Sequence, residues 1–205
     1  MPQDRRRHAE ATLRNREPIL QVLQSILPVE GTLLEIASGT GEHAAHLAAR
    51  MPRVRWIPTD GDEDAVESIA AWRAAEGSPN LLAPRLLDVR EEDWGVTGLD
   101  AIICVNMIHI SPWECTEALM RGAARALKPG GLLYLYGPFM LDGLHTAPSN
   151  ERFDRMLLMQ DPSWGVRDLG AVEDTALANG LVFDGKVEMP ANNLSVWFRR
   201  PPSVD

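Results

Sequence analysis

The chain has 205 residues, of which 29 are acidic and 20 are basic, and its formal net charge is −9. This length fits one α/β domain that buries about 70% of its unfolded surface and needs no disulfide or metal to fold. The acidic balance argues against nucleic acid as the main partner, because a nucleic-acid binder needs a basic face.

No apolar run reaches about 18 residues and no signal peptide opens the chain, so we expect a protein that neither crosses a membrane nor is exported. Cys104 and Cys115 do not have the spacing of a metal site, and we expect both to be buried thiols in a reducing compartment. The sequence therefore predicts a cytoplasmic protein without a metal site or a membrane partner. Nothing in it indicates an oligomeric state.

Apolar runs alternate with helical periodicity along the chain. Asn15 is expected to cap a first helix whose first turn holds Pro18, where the missing N–H costs nothing. The patterns predict further helices over 41–51, 62–75, 112–127 and 169–179, and strands over 32–37, 54–58, 81–87, 101–105, 132–136, 181–188 and 194–199. This alternation predicts a doubly wound α/β fold with a mostly parallel seven-stranded sheet and an antiparallel edge strand.

Residues 138–167 have no clear strand pattern, although 149–160 has the composition of a helix. Segments this long and irregular are usually lids or binding elements in compact domains. We find no internal repeat or linker. The sequence therefore predicts a single domain over residues 1–205, in which 1–28 form an N-terminal helical segment and 138–167 cover the substrate.

The run from Leu33 to Gly41 predicts a strand, a glycine turn and the start of a helix, which together form the first unit of a nucleotide-binding domain. Gly39 and Gly41 allow a sharp turn and the close approach of a ligand. Glu35 places a carboxylate inside an apolar strand, which is costly unless a cationic or hydrogen-bonding group meets it. These features indicate a cationic or donor-rich ligand, although a purely structural turn uses the same glycines.

Carboxylates lie near the carboxyl ends of the first three predicted strands, at Glu35, Asp60 and Asp88. In an open parallel sheet these ends line the ligand crevice. Asp60 is placed to accept hydrogen bonds from ribose hydroxyls, and Asp88 from an adenine amine, with the Val89 N–H facing a ring nitrogen. Each acid taken alone also fits a helix cap or a surface position.

These motifs resemble those of class I S-adenosylmethionine-dependent methyltransferases, and within them the DUF938, or methyltransferase-like 26, family. The general motifs are Glu35-x-Ala37-x-Gly39-x-Gly41, Asp60, Leu87-Asp88-Val89 and Leu127-Lys128-Pro129-Gly130-Gly131. The family resemblance rests on residues 15–20, 34–43, 106–109 and 189–193. One departure is Ala37, which stands where the general pattern has glycine.

The resemblance implies a Rossmann-like methyltransferase that uses S-adenosylmethionine as its cofactor. By similarity, Glu35 and the Gly39–Gly41 turn hold the methionine end, Asp60 the ribose, and Asp88 with Val89 the adenine. Ala37 is also expected among the cofactor-binding residues. The family runs also place two asparagines at the cofactor site, Asn15 and Asn106. A sulfonium and an ammonium group suit an acid-lined crevice.

His109 follows the fourth predicted strand, where substrates lie in this fold, and an imidazole can take a proton near neutral pH. We therefore predict that His109 is catalytic, with a packed core histidine as the alternative. Three residues of the late irregular segments are predicted to contact the substrate: His145, Asn150 and Asn192.

The methyl acceptor is predicted to be a small molecule. Asn106-Met107-Ile108 is not the Asn-Pro-Pro-Tyr motif of nucleic-acid and protein-amide methyltransferases, and no Pro-Cys pair supplies a thiolate for cytosine carbon. Two other functions stay open: binding of S-adenosylmethionine without methyl transfer, and oxidoreduction with a nicotinamide dinucleotide. The dinucleotide needs its pyrophosphate at the helix after the turn, where Glu42 opposes it.

Overall fold

The computed structural model describes residues 4–202. Its helices are α1 (Glu10–Ile26), α2 (Glu42–Arg50), α3 (Glu63–Glu76), α4 (Trp113–Ala126), α5 (Pro148–Gln160) and α6 (Leu169–Ala178). Its strands are β1 (Gly31–Ile36), β2 (Val54–Asp60), β3 (Arg85–Leu86), β4 (Leu99–Val105), β5 (Leu127–Gly137), β6 (Phe139–Leu141), β7 (Leu144–His145), β8 (Arg167–Asp168), β9 (Val182–Met189) and β10 (Asn193–Arg199). Short 3-10 helices occupy Met107–His109 and Pro190–Asn192.

Seven strands form one sheet in the order β3-β2-β1-β4-β5-β10-β9. Strand β2 pairs in parallel with both β1 and β3, whereas β10 is antiparallel to both β5 and β9. The predicted α/β fold, with a mostly parallel seven-stranded sheet and an antiparallel edge, is confirmed. The most continuously apolar strand, β4, is the fourth of the seven, as expected for a strand covered on both faces.

The chain divides into two compact units. The first contains the described residues up to Asp88 together with Leu99–Ile103, and the second contains Val89–Gly98 together with the described residues from Cys104 onward. The single domain over 1–205 stays a prediction, and residues 1–3 and 203–205 lie outside the described part. None of the helices within 4–202 is long and apolar enough to cross a membrane.

Helix α1 begins earlier than the sequence predicted. Its first residue is Glu10, and Asn15 lies buried inside it, so the prediction that Asn15 caps the helix is wrong. Pro18 is consequently an interior residue and cannot donate a hydrogen bond to the carbonyl of Arg14. The helix continues through Pro18 because its later apolar residues are buried, which outweighs one lost hydrogen bond.

Two other segments differ from the prediction. The strand predicted over 81–87 is reduced to β3, with an isolated bridge between Leu81 and Trp56, because Pro84 lacks the N–H that a continuous ladder needs. The segment 138–167, expected to lack strands, contains β6 and β7, which join β8 in a three-stranded sheet. These strands are two or three residues long, too short for alternation to be visible in the sequence.

We expect Pro18→Ala to stabilise the protein, because alanine restores a donor to the Arg14 carbonyl and removes the ring from the helix interior. The free energy of unfolding in urea should rise by about 1 to 3 kcal/mol. Gln21→Ala, at an exposed position of the same helix, is the control and should change it by less than about 0.5 kcal/mol. A Pro18→Ala protein no more stable than this control would contradict the prediction.

Candidate functional site

The glycine loop, residues 37–41, joins β1 to α2 in a left-handed conformation. Ala37, Gly39 and Gly41 have φ values of 54°, 59° and 85°. A Cβ added at Gly39 would meet nothing within 4 Å, whereas one added at Gly41 would lie 2.6 Å from the Cα of Ile69. Gly39 therefore leaves open space beside the backbone, and Gly41 is required by the packing of the loop on α3.

Hydrogen bonds tie the glycine loop to the end of β2. The Ser38 N–H donates to the Thr59 carbonyl at 2.8 Å, and the Thr59 N–H donates to the Ser38 hydroxyl at 3.2 Å. The Asp60 carboxylate accepts from the Gly39 N–H at 2.8 Å and from the Asp62 N–H at 3.0 Å. Asp60 thus lies beside the loop and also holds its backbone, and burial raises the pKa of this carboxyl.

Glu35 is 1% exposed and is hydrogen-bonded within the protein. The indole Nε1 of Trp56 donates to its carboxylate at 2.7 Å, and the Ser38 hydroxyl forms a second hydrogen bond with it. Burial raises the pKa of Glu35 to about 7, although both hydrogen bonds act in the opposite direction. The sequence indicated that a cationic or donor-rich ligand meets Glu35, whereas in the structure Trp56 and Ser38 supply the hydrogen bonds.

Other predicted cofactor residues of the first unit lie around the same loop and sheet edge. The Leu87 N–H, one residue before Asp88, donates to the Asp60 carbonyl at 2.8 Å, so the ends of β2 and β3 are adjacent. The Asn15 Oδ1 lies 2.8 Å from Nε2 of His43 in the first turn of α2. Burial lowers the pKa of His43 to about 4, so the neutral ring donates to Asn15.

His109 is completely buried in the second unit. Its Nδ1 accepts from the Arg167 N–H at 3.2 Å, and its ring packs edge-on against Phe139 at 4.9 Å between centroids. A Cβ added at Gly137 would lie 2.5 Å from His109 Nε2 and 3.2 Å from Asn106 Oδ1. The backbone of Gly137 therefore makes room for two predicted site residues, Asn106 and His109.

The protonation state of His109 follows from its contacts. Burial, followed by the charge of Arg167, lowers the pKa of His109 to about 3, so the ring is neutral near pH 7. Because Nδ1 accepts a hydrogen bond, the proton is on Nε2, which has no hydrogen-bond partner among residues 4–202. The Arg167 guanidinium also donates to the carbonyls of Ile108 and Ser111, at 2.9 and 2.6 Å, and so fixes the segment around His109.

Asn150 and Asn192 are in direct contact. The Asn150 amide donates to the Asn192 carbonyl at 2.8 Å and to the Thr146 hydroxyl at 2.9 Å. This contact anchors a strained turn, because Ala191 and Asn192 both have a φ of 59°. His145 is separate from this pair: its Nε2 lies 3.5 Å from the Asp154 carboxylate.

Residues 6–200 match the family described as Protein of unknown function (DUF938). The chain belongs to the DUF938 family. A curated relative, the chondramide synthase cmdD of Chondromyces crocatus, is 34% identical over 110 residues, which are 50% of the DUF938 chain and 3% of the synthase.

Solved structures share the fold of this DUF938 protein at low sequence identity. An O-methyltransferase family protein from Burkholderia thailandensis has a TM-score of 0.81 at 16% identity, covering 95% of this chain and 59% of its own. An O-methyltransferase family 2 protein from Planctomyces limnophilus, solved with apigenin, has a TM-score of 0.73 at 16% identity, covering 91% and 62%. The S-adenosylmethionine-dependent methyltransferase SibL has a TM-score of 0.77 at 19% identity, and the match covers 93% of this chain and 56% of SibL. The DUF938 chain thus spans less than two thirds of each of these proteins.

The structure distributes the predicted site residues over both units of the DUF938 protein. The first unit brings Asp60 to the glycine loop, with Glu35 buried beneath Ser38. The second unit places Asn106 and His109 around Gly137, and it also contains Val89. Sequence reasoning missed three residues that hold these positions: Trp56, Ser68 and Arg167. The role of Trp56 could have been predicted, since Trp56 is on the strand next to the buried Glu35. No feature of the sequence around Arg167 indicates its role.

We expect Glu35 to make stability depend on pH. Its folded-state pKa of about 7 exceeds the ordinary value of 4.5, so ionisation destabilises the fold progressively as pH rises between these values. Glu35→Gln keeps an acceptor for Trp56 but cannot ionise. Its free energy of unfolding relative to the wild type should therefore increase by about 2 kcal/mol from pH 5 to pH 8.

Urea unfolding at both pH values measures this difference. Glu30→Gln, at an exposed position just before β1, is the matched control and should give a difference that does not change with pH. The same flat result for Glu35→Gln would mean that Glu35 is not held in an unfavourable ionised state.

Proposed function

We propose that this DUF938 protein transfers a methyl group from S-adenosylmethionine to a small-molecule acceptor. The observation that carries the proposal is the glycine loop, which leaves open space at Gly39 beside the Asp60 carboxylate. Ligands of open α/β sheets bind outside the carboxyl ends of the strands, where this loop lies. The fold shared with solved methyltransferases supports the same conclusion.

The residues of the first unit fit this cofactor. Gly39 provides a cradle that any side chain would fill, and Asp60 provides acceptors for ribose hydroxyls. Asp88 and Val89, which follow β3 in the sequence, are proposed to bind the adenine. Asn15 and Asn106 complete the proposed cofactor residues, with Asn15 acting through His43 at the start of α2.

Glu35 has a supporting role in this proposal. Because its carboxylate is buried and occupied by Trp56 and Ser38, it orients Ser38 beneath the loop and does not itself contact the methionine end. The negative charge beside the loop is then carried by Asp60. Ala37 and Gly41 shape the same turn, and the nearby Glu42, 2% exposed at the start of α2, disfavours the pyrophosphate of a nicotinamide dinucleotide.

S-adenosylmethionine, when bound, supplies a methyl group that its sulfonium already activates for displacement. The protein's main task is then to align the acceptor and exclude water. Because Nδ1 of His109 accepts from the Arg167 N–H, its Nε2 carries the proton and can donate a hydrogen bond to a bound acceptor. A base role for His109 requires its Nδ1 to release the Arg167 N–H, so we propose that His109 orients the acceptor before any proton is moved.

The acceptor is proposed to be a small molecule bound by the second unit. The net charge of −9 disfavours nucleic acid, and the names of the neighbours, among them the mitomycin 7-O-methyltransferase MmcR, favour an oxygen acceptor. Residues 138–167 are proposed to cover it, since only Asn150 and Leu157 of α5 are buried and the helix is weakly anchored. His145, Asn150 and Asn192 are the proposed contacts or supports.

Isothermal titration with S-adenosylmethionine and with S-adenosylhomocysteine tests the cofactor, and turnover of labelled cofactor with a metabolite extract tests methyl transfer. We expect binding of both compounds and a labelled small-molecule product. Absence of binding by the folded protein would overturn the proposal. Binding without any product would favour a cofactor-binding protein that does not transfer the methyl group.

We expect Gly39→Val to abolish binding of S-adenosylmethionine while the protein stays folded. The branched side chain would fill the space beside the loop, and it resists a positive φ. Gly77→Val is a matched control, because Gly77 caps α3 with a φ of 67° and an added Cβ there also meets nothing within 4 Å. Titration should show wild-type affinity for Gly77→Val only; equal affinity in both variants would mean that the turn holds no ligand.

A further inference from the structure

The N-terminal strap, Asp4–Ala9, lies along α3 in the first unit. The Arg7 N–H donates to the Ser68 hydroxyl at 2.8 Å, and the indole Nε1 of Trp72 donates to the Arg7 carbonyl at 2.9 Å. Ser68 and Trp72 are four residues apart and therefore share one face of the helix. The backbone of Arg7 is thus held on both sides by α3.

The Ser68 hydroxyl makes a second hydrogen bond, in the opposite direction. It donates to the carbonyl of Thr40, in the glycine loop, at 2.7 Å. A hydroxyl has one donor and two acceptor positions, so it serves Thr40 and Arg7 at the same time. Ser68 is 1% exposed, which excludes water as a substitute partner. One buried hydroxyl therefore joins the strap to the glycine loop.

Other contacts hold the strap and the loop to the same surface. The Arg6 guanidinium lies 5.1 Å from the centre of the Trp72 ring, and the His8 ring packs edge-on against it at 5.0 Å. At the end of the strap, the Ala9 N–H donates to the buried Glu42 carboxylate at 3.4 Å. The loop itself touches α3 one residue beyond Ser68, since any Cβ at Gly41 would collide with Ile69.

We infer that Ser68 is a positioning residue that makes the order of the N-terminal strap and the order of the glycine loop depend on each other. When the strap is docked, Ser68 is held against Thr40 and the loop keeps its left-handed geometry. When the strap is released, the Thr40 carbonyl loses the partner that fixes it. The effect on binding rests on the proposed function. S-adenosylmethionine bound at the loop stabilises the docked strap, and docking of the strap raises the affinity for S-adenosylmethionine by the same factor.

Hydrogen exchange of the ligand-free full-length protein tests the connection directly. Ser68→Ala removes both hydrogen bonds. Arg7→Pro removes the Arg7 donor, because proline has no N–H, together with the exposed ion pair between Arg7 and Asp62. Each variant should speed exchange of the amides at 39–41 about tenfold. If Ser68 acts as the link, the double variant should exchange no faster than Ser68→Ala alone, because the two changes break one connection.

Glu67→Gln is the matched control. Glu67 is adjacent to Ser68, and the substitution removes the exposed ion pair with Arg5. The amides at 39–41 should therefore exchange at the wild-type rate. Wild-type exchange at 39–41 in Arg7→Pro would overturn the inference, and so would additive effects of Arg7→Pro and Ser68→Ala, which indicate two separate structural roles.

Titration of the same four variants with S-adenosylmethionine tests the consequence for binding. We expect affinity to fall about tenfold in Ser68→Ala and in Arg7→Pro, and bound ligand to slow exchange of the strap in the wild type. If the wild type fails to bind while the ligand-free exchange follows the expected pattern, the proposed function is wrong and the connection through Ser68 stands. If the wild type binds S-adenosylmethionine, and Ser68→Ala and Arg7→Pro bind it with the same affinity, the inferred effect on affinity is wrong.

Discussion

The carboxyl group of Glu35 is buried in the protein interior, where only 1% of the residue is exposed. The contacts at the end of the parallel sheet depend on this buried group. Desolvation opposes its ionised form, and Trp56 and Ser38 recover part of the cost. Ser38 also accepts from Thr59 and donates its N–H to the Thr59 carbonyl. The buried acid therefore fixes the first turn of the glycine loop from below.

Local strain accompanies this arrangement. Ala37 has a φ of 54° without being glycine, a conformation that costs about 1 to 2 kcal/mol for a residue with a Cβ. It persists because the next two residues are held by Thr59 and Asp60. Left-handed non-glycine residues cluster at functional positions when their surroundings determine them strongly. The turn at Ala191–Asn192, anchored by Asn150, repeats this pattern in the second unit.

The sequence predicted the helices and strands whose formation depends on the local pattern of apolar residues. The long strands and the helices after them follow from apolar runs, and the predicted helix over 62–75 is present as α3, capped by the Asp62 carboxylate, which accepts from the Asp64 N–H. Errors arose where a distant contact decides the outcome. Asn15 has the chemistry of a cap, but its partner is His43 on another helix. The short strands of 138–167 depend on pairing with β8 and leave no periodicity of their own.

The sequence predicted which acidic residues lie at the candidate site, but it did not predict which group each of them contacts. Glu35 and Asp60 look equivalent in the sequence, since each is an acid at the end of a strand. The structure distinguishes them by their partners: Glu35 meets side-chain donors in the interior, and Asp60 meets the backbone of the loop. Sequence reasoning did not separate these roles, because it did not pair Glu35 with Trp56, which is 21 residues away in the chain but lies on the adjacent strand.

The charges of the interior groups have a consequence for the type of ligand. Burial moves the pKa of Glu35 up and those of His43 and His109 down, so in each case the neutral form is favoured. The two histidines thus contribute little fixed charge near neutral pH, whereas Glu35, with a pKa of about 7, is partly ionised there. Asp60 is also partly buried, and burial raises the pKa of its carboxyl although hydrogen bonds from the Gly39 and Asp62 N–H groups act in the opposite direction. Asp60 therefore places an acidic group beside the open space at Gly39, and Glu42 places a second one at the start of α2. Two acidic groups on this loop suit the proposed sulfonium cofactor better than a phosphate ligand.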